Sequence, residues 1–148
     1  MNKALETLAA KVQLTDPSNQ QMRFAFAHAC AARIRHLLED PAVADCLDVL
    51  GQFVNGTAGL EALALTQHEA ARLANSHGGS KSIDGCGHAA VSATYAVAKA
   101  AEGKALEAAS YAAYATVYAQ GGYAAVADRA SFEPEFAWQV ATLNALAL

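Results

Sequence analysis

Apolar positions recur every three to four residues through almost the whole chain, and no strand-like alternation of useful length interrupts them. Glycine, proline and capping residues cut this pattern into about seven helical segments. The first covers about residues 2–12. Thr15-Asp16-Pro17 places a capping side chain before a proline at the first helical position, which predicts a second helix running to about Leu38. Its buried stripe would be Phe24, Ala27, Ala31, Ile34 and Leu38. Asp40-Pro41 repeats the start signal and predicts a third helix ending at Asn55-Gly56. Thr57 or Gly59 opens a fourth, stopped by Gly78-Gly79. After the glycine-rich loop 78–87, Asp84 is the expected cap of a fifth helix over about 86–101. Glu102-Gly103 turns the chain into a sixth, 104–120, which Gly121-Gly122 ends. A short piece, 122–130, leads to a last helix with Phe136, Val140, Leu143 and Ala147 as its inner stripe. No fixed repeat period is visible, so the pattern predicts one all-α domain over 1–148, a compact bundle of six to seven alanine-rich helices.

Composition changes what such a core can be. A chain of 148 residues buries roughly 70% of its unfolded surface. Only eleven of its side chains are aromatic, so much of the core must be alanine, which favours helices and lets them approach closely. The net charge of -4 argues against a nucleic-acid partner and is compatible with a basic one. Cys30, Cys46 and Cys86 are widely spaced and contain no Cys-x-x-Cys, which suits free thiols in a reducing compartment, with Cys30 and Cys46 as small core residues. The first twenty residues lack the apolar run of a secretion signal, and Lys99, Glu102, Lys104 and Glu107 break the alanine-rich stretch. The expectation is a soluble cytoplasmic protein without a membrane span.

Candidate chemistry concentrates in two places. His77, Asp84, Cys86 and His88 form the only cluster of metal-type ligands, but their spacing matches no usual zinc pattern. The expected metal and cofactor are therefore none. On the fifth helix His88, Ser92, Tyr95 and Lys99 share one stripe, opposite Ala90, Ala93 and Val97. On the sixth, Glu107, Tyr111, Tyr114 and Tyr118 fall within an arc of about 60°, away from Leu106, Ala109, Ala113 and Val117. Those phenols either rim the core or face a partner, since tyrosine gives large contact area at low entropic cost. Arg33-Ile34-Arg35-His36 reads as positive charge complementing a helix C-terminus. Glu61, His68, Glu69 and Arg72 read as a solvated face of the fourth helix, away from Leu60, Leu63 and Ala74. Trp138 is either packed under a neighbouring segment or an anchor for self-association. No P-loop, nucleophile elbow, dinucleotide fingerprint or His-Glu-x-x-His motif occurs, and no catalytic residue is assigned.

Several runs carry a resemblance. Ala29-Cys30-Ala31-Ala32-Arg33 continuing to Leu37-Leu38-Glu39-Asp40-Pro41, then Gly87-His88-Ala89-Ala90, then Ala108-Ala109-Ser110-Tyr111-Ala112-Ala113-Tyr114, with a closing Trp138-Gln139, are similar to segments of one bacterial family. The chain resembles the all-helical, immunity-protein-five-like family associated with polymorphic toxin systems, over about residues 20–146. It departs in having Tyr95 where that family tends to carry a second histidine. The resemblance implies a helical protein that neutralises a toxin domain by occupying its surface.

Three functional expectations follow. The first is a non-catalytic cytoplasmic binding protein, of the immunity type, whose contact candidates are His88, Tyr95, Glu107, Tyr111, Tyr114 and Tyr118. The second is a small helical enzyme or metal-binding protein using the 77–88 loop. The third is a homo-oligomer associating through alanine-rich faces and Trp138.

Overall fold

The computed structural model describes residues 1–77 and 86–148. Among these residues there are seven α-helices and no strand: α1 Lys3–Lys11, α2 Gln20–Arg33, α3 Pro41–Asn55, α4 Leu60–Ser76, α5 Cys86–Ala101, α6 Ala105–Ala127 and α7 Glu133–Leu146. Short 3-10 turns at Pro17–Asn19, Arg35–Leu37 and Arg129–Phe132 join them. This is the all-α bundle that the periodicity predicts.

The start signals work by hydrogen bonding. The Asp16 carboxylate accepts from the Ser18 amide and Asp40 from the Ala42 amide, each with proline at the next position. Asn2 accepts from the Leu5 amide to start α1. Gly56, with φ 87°, closes α3 as expected. The predicted cap Asp84 lies outside the described residues. Helix α2 is shorter than predicted, ending at Arg33 rather than Leu38. Proline disfavours helical backbone at the residue before it, and Leu38 and Asp40 are extended. Ile34, fully enclosed, caps α2, and the chain continues as a 3-10 turn over Arg35–Leu37 before that extended stretch.

Helix α2 is the centre of the bundle, contacting α3, α5, α6 and α7, while α4 packs on α3 and α5, and α1 on α7. The most extensive contact joins α5 to α6. It is built on methyl groups: Ala93, Ala96, Ala100, Ala108 and Ala115 are completely or almost completely shielded from solvent. Phe26, Leu14, Leu47, Leu50 and Leu143 supply the bulk elsewhere. The α5–α6 turn needs glycine at 103. Its φ is 75°, and a Cβ there would stand 2.9 Å from the Phe24 ring on α2. The turn therefore rests directly on the core.

Two expected stripes are corrected. On α4 Leu60 is 70% exposed, and the buried positions are Leu63, Thr66, Ala70 and Ala74. On α7 the buried face is Glu135, Gln139 and Leu143; Phe136 and Val140 are half-buried and Ala147 lies outside, beyond the helix. Polar partners explain the rotation. Glu135 accepts two hydrogen bonds from Arg33, at 2.8 and 3.0 Å, and the Arg33 guanidinium lies 4.3 Å from the centre of the Trp138 ring. The Gln139 amide donates to the Ala109 carbonyl at 2.8 Å and accepts from Asn2 at 3.1 Å. With their hydrogen bonds made inside the protein, these side chains can be enclosed. Trp138 is thus packed under Arg33 as well as against the core.

Candidate binding surface

The tight turn fixes how α5 and α6 pair. In an antiparallel helical hairpin, residues equidistant from the turn lie side by side. His88 and Tyr118 stand fifteen residues on either side of Gly103, Tyr95 and Tyr111 eight, and Lys99 and Glu107 four. All three pairs meet. The Tyr95 and Tyr111 rings stack at 5.3 Å and 22°, His88 and Tyr118 lie 5.3 Å apart, and the Lys99 ammonium stands 3.6 Å from the Glu107 carboxylate. The polar stripe of α5 and the phenol stripe of α6 are therefore one seam along the hairpin.

The tyrosines are half-buried, with their neighbours differing along the row. Tyr111 is covered by Tyr95, whose hydroxyl donates to Asn75 of α4 at 3.3 Å. Tyr114 meets Phe132 edge to face at 5.0 Å. Tyr118 packs against both His88 and Tyr123. Glu107 is exposed, and His88, Tyr95, Tyr111, Tyr114 and Tyr118 keep part of their surface in solvent. The row is a rim on the core whose outer edges remain free.

Tyr123 completes the seam, and its placement depends on the second glycine that backbone geometry requires. The assigned span of α6 continues past the predicted stop, but Gly122 has φ 62° and ψ -147°, a conformation open essentially only to glycine. The break redirects the last turn of α6. The Tyr123 hydroxyl then lies 2.8 Å from His88 Nε2, and its ring makes an edge-to-face contact with the imidazole at 5.4 Å. Tyr123 is 49% exposed. The imidazole is held between two phenols, with one ring nitrogen committed to Tyr123.

Of the loop cluster, only the side chains of His77 and His88 belong to the described residues. His77 ends α4, with Nε2 3.7 Å from the Glu39 carboxylate. Asp84 lies outside the described residues, as does the side chain of Cys86, and His88 faces Tyr118 and Tyr123. No group of three or more His, Cys, Asp or Glu among the described residues is placed to hold a metal ion. No described helix is long and apolar enough to cross a membrane. Cys30 and Cys46 are buried free thiols, and burial pushes the Cys30 thiol up to about 12, helped by the Glu135 charge.

The charged sets resolve into ion pairs. Arg35 holds Asp48 of α3 with two hydrogen bonds, and Arg72 pairs with Glu69 on its own helix. Arg33 at the end of α2 thus ties that helix to α7, and Arg35 ties the following 3-10 turn to α3, beyond complementing the helix dipole. Tyr123, Phe132 and the Arg33–Glu135 pair were not singled out by the pattern. Symmetry about Gly103 is the signal that would have joined the two stripes. No family model, curated protein or solved structure matches this chain.

Proposed function

We propose that this chain is a non-catalytic binding protein that engages a protein partner through the seam of α5 and α6, acting in the cytoplasm in the manner of an immunity protein that occupies a toxin domain. The observation that carries the reading is a pair of ring clusters along one seam, Tyr111 stacked on Tyr95 and His88 held between Tyr118 and Tyr123. Its rings are supported from below by packing and hydrogen bonds, while their edges are left in solvent. Pre-positioned aromatic rings lose little entropy on contact, which is what an interface hot spot requires. Glu107 is paired with Lys99 on the seam, so the steering towards a basic partner comes from the net charge of -4 of the chain as a whole.

The test is affinity capture from the native host with wild-type chain and with a His88→Ala/Tyr118→Ala variant whose melting has been checked. A protein retained by the wild type and lost from the folded variant is the expected outcome. Capture of nothing, or equal capture by both, overturns the reading. For an isolated partner, Tyr118→Ala should weaken binding by about 2 kcal/mol, the scale of an interface hot spot.

A further inference from the structure

A second feature lies away from the His88 end of the seam, where the start of α1 meets α6 and α7. A cavity of about 530 Å³ opens there, within the range of small-molecule sites. Three rings line it. Tyr114 and Phe132 meet at 5.0 Å and 69°, and Phe132 and Phe136 lie 5.5 Å apart at 34°, with Val126 beside them. These edges and faces suit a flat aromatic guest better than an alkyl chain.

Charge at the mouth narrows the choice. Arg33, Arg35, Arg72, Lys99 and Lys104 each pair with a carboxylate elsewhere on the molecule. Lys3 and Arg129 form no ion pair with any carboxylate of the described residues, yet both line this cavity, and Glu133 is the one acid that lines it with them. Lys3 and Arg129 against Glu133 leave the mouth net positive, in a protein that is acidic as a whole. The complement of that mouth is an anion.

We propose that this cavity is a binding site for a small aryl carboxylate, its ring against Tyr114, Phe132 and Phe136 and its carboxylate towards Lys3 and Arg129. The proposal stands apart from the partner-binding reading, because it uses neither His88 nor Tyr118. Tyr114 alone belongs to both descriptions, as the wall between them.

Isothermal titration of the full chain with 2-naphthoate, and with 2-naphthylmethanol as the uncharged analogue, tests it. The acid should bind about tenfold more tightly than the alcohol. Lys3→Gln and Arg129→Gln, at exposed positions that leave the core intact, should each weaken the acid roughly threefold, and together about tenfold, without changing the alcohol. Failure of the acid to bind, equal binding of acid and alcohol, or a folded double variant within about twofold of wild type for the acid would overturn the proposal.

Discussion

The α5–α6 hairpin and the α7 helix are held in the bundle by opposite means. The hairpin is enclosed by alanine methyl groups such as Ala93, Ala96 and Ala108, and its fit is set by how closely backbones approach. Helix α7 instead turns Glu135 and Gln139 inward and is clasped by Arg33, Asn2 and the Ala109 carbonyl. A methyl surface has no directional preference beyond shape. A bidentate ion pair and an amide chain fix both the rotation of a helix and its position along its axis. The difference teaches that this small domain obtains closeness from one region and orientation from the other.

The sharpest way to break the comparison is to enlarge a methyl group on the hairpin. Ala96 is fully enclosed, so Ala96→Leu should destabilise the protein by about 3 kcal/mol, the upper range for overpacking. Urea unfolding measures it, and a cost near zero would mean the hairpin has room it is not shown to have. On the other side, Glu135→Gln should cost about 2 kcal/mol, below the figure for a fully buried pair because Arg33 is partly exposed. Replacing the pair together, Arg33→Met with Glu135→Met, should recover most of that loss in the same assay. If the double variant is no better than the single, the clasp contributes stability as well as orientation.

A third test uses pH beside the clasp. The folded Cys30 thiol is held up at about 12 by burial, against 9.0 for the unfolded group. Its contribution is fully present below pH 9 and is lost as the pH rises towards 12, because the unfolded chain gives up a proton that the folded chain keeps. The slope attributable to this group should approach about 1.4 kcal/mol per pH unit within that window. Cys30→Ala should remove that part of the slope, whatever the variant's stability at neutral pH. Equal slopes for both proteins would show that the thiol is not sheltered.

The hairpin side was legible in the sequence and the clasp was not. Apolar spacing, Asp40-Pro41, Asn55-Gly56 and Glu102-Gly103 each have local causes, so helix starts and turns could be read from neighbours along the chain. The stripes of α5 and α6 could be read for the same reason, and the midpoint at Gly103 pairs them. Hydropathy places Phe136 and Val140 inward and sends Glu135 outward, because it cannot know that Arg33, 102 residues away, will meet that carboxylate. Leu60 failed in the reverse direction: it lies at the first position of α4, where the helix has not yet reached the core. Tyr123 required the Gly122 break, a backbone event that the Gly121-Gly122 pair hints at without giving its direction.

Alanine has no side-chain rotamer to choose, so a contact made of it freezes nothing when it forms and offers no alternative arrangement afterwards. The enclosed methyls between Ala93 and Ala115 thus act as a stiff spar. Rings mounted along its edge keep constant intervals, like graduations on a gauge, and a partner of the kind proposed would meet a template set before it arrives.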